Sequence, residues 1–199
     1  SEVTDQPVPT LRAYFKTAKN RVMINLELKT SGNVSWETLL EKSLAIAREE
    51  GVMDHLLLKV PDVLHHGKTL KRQLLATSSF PPELALLPMI WQSDTSVAKR
   101  LDTMERFGGV GYEMPVSDPA YLGQTRFDKR LAGRPIMAVA VQANWSGGLD
   151  DSLSLRDPAA GWGRLIELGA NLVMTDHPEA LLNYLERTGQ RPARSPRCN

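Results

Sequence analysis

Six short apolar runs alternate along this chain with segments whose apolar residues recur every three or four positions, at intervals near the roughly 30 residues of a strand–helix–strand crossover. The runs are 21–30, 55–60, 84–92, 110–116, 136–144 and 171–176. Strands separated by helices cannot pair as hairpins, so they must lie parallel, covered by the helices between them. The alternation therefore predicts an α/β fold built on a parallel sheet.

Local signals place the helices. Thr10 is a predicted N-cap for a helix carrying Leu11, Tyr14, Phe15 and Ala18 on one face, and Ser35 for one carrying Trp36, Leu39, Leu40, Leu44 and Ala47 and ending at Gly51. Further helices are predicted over 62–75, 93–107, 117–131, 159–168 and 178–187, the last with Pro178 in its first turn. In LALLPMIWQ, Pro88 is expected where the strand proper begins. Residues 1–9 read as an entering loop, 10–188 as one domain, and 189–199 as a disordered tail.

Composition narrows the partners. Lys and Arg number 24 against 23 Asp and Glu, a formal charge of +1, and no basic patch precedes Arg187, which argues against nucleic acid. With a single cysteine, Cys198, neither a disulfide framework nor a zinc cluster is available. No apolar run approaches the roughly 20 residues of a bilayer span, so no transmembrane segment is expected. The reading is a soluble protein, compatible with secretion or a periplasmic location after processing. The chain opens on Ser rather than Met, as a processed product, a trimmed chain or a fragment would.

In RVMINLELKT, Ile24, Leu26 and Leu28 share one face and Asn25, Glu27 and Lys29 the other. Under covering helices, an inward carboxylate and amine call for a chemical reason. Ligands of parallel α/β sheets bind beyond the carboxyl ends of the strands, which collects Glu27, Lys29, Lys59, Gln92, Glu113, Asn144, Trp145 and Asp176. Carboxylates such as Glu27 and Glu113 suit a hard divalent cation, Ca²⁺ or Mg²⁺, and nearby lysines suit an anionic phosphodiester. An ion pair between Glu27 and Lys29 that fills the end of the sheet accounts for the same residues equally well. Of the four histidines only His177 follows a strand at its carboxyl end, and as a loop residue it needs no catalytic role. The Gly147–Gly148 turn before Asp150–Asp151 is a flexible acidic loop.

Several pieces taken in order resemble the glycerophosphodiester phosphodiesterase family: PTLRAYF leading into MINLELK, then HLLLKVP, IMAVAVQANW with GGLDD and RDPAAGWGRLIELGA, and LVMTDHPEALLNYL. The resemblance runs from about Pro9 to Tyr184 and covers the last three quarters of that domain. It implies a TIM-like (β/α)₈ barrel, here six of its βα units, in a bacterial-like enzyme of lipid metabolism. The implied reaction is hydrolysis of glycerophosphodiesters to an alcohol and glycerol phosphate with Ca²⁺ or Mg²⁺. On that resemblance Glu27 is a metal carboxylate, Lys29 a phosphate contact, Asn144 and Trp145 the lining of the substrate pocket, and Lys59 and Glu113 further substrate-side residues. The family's His-Arg-Gly strand, its Glu-x-Asp pair and its second catalytic histidine should precede Pro9, and the sequence has none of them. No catalytic residue is therefore assigned to this chain, which is expected to be incomplete alone; a further segment or second chain would complete the barrel. Alternatives are a non-catalytic module that binds a partner through open sheet edges, and an unrelated doubly wound α/β domain.

Overall fold

The computed structural model describes residues 7–30, 34–63 and 80–191. The chain divides into two compact units, residues 1–59 with 67–85, and residues 60–66 with 86–199.

The first unit opens with α1 (Leu11–Ala18), where the Thr10 hydroxyl accepts the Ala13 N–H at 3.2 Å and so satisfies one of the helix's orphan donors. β1 (Ile24–Leu26) follows, then α2 (Trp36–Glu50), capped by Ser35 and ended by Gly51 at φ 65°, a left-handed conformation that favours glycine. β2 (Leu56–Val60) runs parallel to β1, with Ile24 opposite Leu56 and Leu26 opposite Leu58. Phe15, Ile24, Trp36, Leu44, Ala47, Leu56 and Leu58 are buried, and each large one contributes about 1.5–3 kcal/mol relative to exposure. That burial fixes the register, because a slip of one residue would turn Asn25 inward in place of Ile24.

The second unit holds most of β3 (Ala85–Pro88), followed by α3 (Val97–Met104), β4 (Tyr112–Met114), α4 (Pro119–Gly123) and β5 (Ile136–Val139). The short helices α5 (Ala143–Ser146), α6 (Asp151–Ser154) and α7 (Arg164–Glu167) come next, then β6 (Leu172–Met174) and α8 (Pro178–Arg187). β5 lies between β4 and β6, parallel to both, with Glu113 opposite Met137 and Ala138 opposite Val173. All four residues of β5 are buried, as a central strand covered on both faces requires. Leu101, Met104, Met114, Trp162 and Leu165 add to this core.

The described residues do not form a TIM-like barrel, whole or in part. Their six strands lie in two three-stranded sheets, ordered β1-β2-β3 and β4-β5-β6, and no ring closes. Proline explains the break between the sheets. Val110 N–H donates to Leu86 O at 2.9 Å and Ile90 N–H to Glu113 O at 2.8 Å. Between those bonds stands Pro88, which has no N–H to continue the ladder, and only an isolated bridge links Met89 to Glu113. Pro88 thus ends β3 rather than opening a strand. The Pro88 ring also closes on Gly109, where an added Cβ would lie 2.4 Å from the proline Cδ. Within the same unit, the predicted helix 117–131 is broken into α4 and two 3₁₀ turns. Most of the helix predicted over 62–75 lies outside the described residues, as does the tail beyond Arg191.

Candidate functional site

β1 and β2 bring three of the expected site residues together in the first unit. One step beyond the last register pair, Leu26 with Leu58, Glu27 and Lys59 are neighbours across the two strands. The Lys59 ammonium donates to Glu27 Oε2 at 3.2 Å, and Lys29 Nζ lies 3.5 Å from Glu27 Oε1. The side chains differ sharply in exposure: 6% for Lys59, 34% for Glu27 and 78% for Lys29. The alternation read in RVMINLELKT holds, but its polar face is the outer one, since Asn25, Glu27 and Lys29 are exposed while Ile24 is buried. Lys59 is the member that burial holds in place.

Glu27 faces two ammoniums, those of Lys29 and Lys59. A hard divalent cation takes about six or more oxygen ligands, whereas here a single carboxylate has an ammonium on each of its oxygens. No group of three or more His, Cys, Asp or Glu side chains suited to a metal occurs among the described residues. Glu27 with its two lysines therefore does not fit Ca²⁺ or Mg²⁺. Two ammoniums that converge on one carboxylate suit an anionic oxygen.

The remaining expected residues belong to the second unit. Glu113 is the middle residue of β4 and is buried. Asn144 and Trp145 do not end a strand. β5 stops at Val139, and both residues sit in α5, where Trp145 N–H donates to Gln142 O at 3.0 Å. Asn144 is exposed. Trp145 packs edge-on against Trp91, ring centroids 5.9 Å apart at 89°, a favoured aromatic geometry. Gln92 braces the chain, its side-chain oxygen accepting the N–H groups of Ser117 at 2.9 Å and Asp118 at 2.7 Å. His177 is exposed at the head of α8. His65 and His66 lie outside the described residues.

Two buried carboxylates in this unit had no clear sequence signal. Asp62 is fully buried and pairs with Arg100, itself buried, while accepting the Trp91 N–H at 2.9 Å. Its position just after Pro61 at a strand end was the available hint. Asp151, read from sequence as part of a flexible acidic loop, is buried in the first turn of α6. It accepts from the Trp162 indole N–H at 2.9 Å, the Thr175 hydroxyl at 2.7 Å and the Asp176 N–H at 2.8 Å. One carboxylate of α6 thus fastens both the loop after β6 and the π-helical turn Ala159–Gly163 that leads into α7, which is a structural task.

Among the described residues no helix is long and apolar enough to cross a membrane. No curated protein matches the chain. Residues 86–185, half of the sequence and all within the second unit, match the DUF4996 family, so this chain belongs to a family described as a domain of unknown function.

Proposed function

We propose that this chain takes part in the hydrolysis of glycerophosphodiesters to an alcohol and glycerol phosphate, its first unit contributing the phosphate-binding side of the site. The observation that carries the reading is the convergence of Lys59 and Lys29 on Glu27 at the carboxyl ends of two parallel strands. The motif order in the sequence supplies the substrate class. A diester phosphate carries one negative charge spread over two oxygens, and two ammoniums that face the two oxygens of one carboxylate match it. Lys59, held by burial, orients the phosphate. Lys29, on an exposed and flexible stem, closes over it. The cluster lies outside residues 86–185, so the family match does not bear on it.

Titration of the isotopically labelled chain with glycerophosphocholine, followed by amide NMR shifts, tests the reading. Shifts are expected at Glu27, Lys29 and Lys59, weakened in Lys29→Gln. Their absence at millimolar ligand would refute it.

A second reading rests on the sheet edges. β1 and β6 are terminal strands of their sheets, and an open edge is a template for another strand. A partner-binding module of this kind predicts a stable oligomer by analytical ultracentrifugation; a monomer throughout would dismiss it.

A further inference from the structure

We infer that Glu27 is an internal stand-in for the ligand's anion rather than a metal ligand, occupying the two lysines until a phosphate displaces it. The inference rests on the phosphate-binding reading of this cluster and assigns its regulation. Three observations carry it. Each Glu27 oxygen faces a different ammonium, Oε2 facing Lys59 at 3.2 Å and Oε1 facing Lys29 at 3.5 Å, which places the carboxylate where two oxygens of a phosphate would sit between the same donors. The Glu27 side chain is about one third exposed and the Lys29 side chain 78% exposed, so both can swing toward solvent while the buried Lys59 stays in place. The longer Lys29 contact is the looser of the two and the natural one to open first.

Displacement is a competition between Glu27 and phosphate for the ammoniums of Lys29 and Lys59. A cation ligand and a displaceable anion predict opposite effects of neutralising Glu27. If the carboxylate held a metal needed to bind phosphate, Glu27→Gln would weaken binding. If it competes with phosphate, the same change strengthens binding. The Lys29 contact is the exposed and weaker one, so removing the competitor should tighten phosphate binding by a few-fold, up to about fivefold.

The experiment titrates inorganic phosphate into the full chain, its Glu27→Gln variant and its Lys29→Gln variant, each with and without Ca²⁺ or Mg²⁺, and reads affinity from amide NMR shifts. The expected result is tighter binding by Glu27→Gln, weaker binding by Lys29→Gln, and no change on adding either cation. Equal or weaker phosphate binding by a folded Glu27→Gln overturns the inference, as does a requirement for the cation. In the unmodified chain the Glu27 side-chain carboxyl carbon should shift as phosphate is added, a readout that does not depend on a variant folding; an unmoved signal under saturating phosphate also overturns it. Glycerophosphocholine in parallel separates the two claims, since tighter phosphate binding without diester binding leaves the role of Glu27 intact and removes the proposed substrate.

Discussion

Replacing Asp151 by alanine tests whether one buried carboxylate holds the carboxyl-terminal part of the second unit together. Its three donors are not equivalent. Trp162 is fully buried, so its indole N–H would be left without a partner, at a cost of about 1–3 kcal/mol. The Thr175 hydroxyl and the Asp176 N–H lie where burial is only partial, and water can replace the carboxylate, so each loses a net of about 1 kcal/mol. The expected destabilisation is about 3–5 kcal/mol. Asp151→Asn keeps one acceptor oxygen but points an amide N–H₂ at one set of donors, and should fall between. Urea unfolding followed by circular dichroism gives the stability change, and hydrogen exchange at the Asp176 amide and the Trp162 indole shows where it acts. Trp162→Phe removes the orphaned donor, so Asp151→Ala should cost at least about 1 kcal/mol less in that background. A cost below about 1 kcal/mol for Asp151→Ala, or additive single and double variants, would refute the assignment.

Further expectations follow from packing, charge and helix capping. Gly111→Ala places a Cβ 2.2 Å from Pro135 O, the acceptor of the Tyr112 N–H, and should cost about 1–3 kcal/mol by overpacking; an unchanged melting temperature would contradict the close approach. Asp62→Ala strands the buried Arg100 charge and should cost about 3–5 kcal/mol, whereas Asp62→Leu with Arg100→Met should cost far less, a contrast that chemical denaturation of the two variants measures. Burial, and then the hydrogen bond to Glu105, hold the Tyr112 hydroxyl well above the ordinary tyrosine range. Because the fold favours the neutral hydroxyl, this contribution is fully present below about pH 10 and is lost as pH rises beyond it. Alkaline denaturation should therefore be shallower in Tyr112→Phe, and identical pH profiles would show that the bond contributes nothing. Ser35→Ala removes the acceptor for the Thr38 N–H and should cost about 1 kcal/mol in a thermal melt of the first unit.

Much of the local structure was legible in the sequence because its causes are local. Thr10 and Ser35 cap the helices they precede, Gly51 ends α2 in a left-handed conformation, and α8 spans Pro178–Arg187 as its pattern indicates. The periodicity of Ile24, Asn25 and Leu26 reports the side-chain alternation of a strand, and the parallel pairing follows from the helices between strands. Strand ends were overestimated. RVMINLELKT pairs over only Ile24–Leu26, and IMAVAVQAN leaves the sheet after Val139, because pairing lasts only as long as a neighbour presents matching donors and acceptors.

The sequence by itself determined the ends of α1, α2 and α8, the α/β alternation and the identity of the charged residues at the ends of β1 and β2. The tertiary structure alone decided that the strands form two three-stranded sheets rather than a ring, since Pro88 acts through the donor it lacks at a particular seam. It decided that Glu27 meets Lys59, 32 residues away, and so has an ammonium beside each oxygen. It also buried Asp62 and Asp151 against donors as far as 38 and 25 residues distant. A carboxylate's role is set by what faces it, and the partners that face these three come from distant parts of the chain.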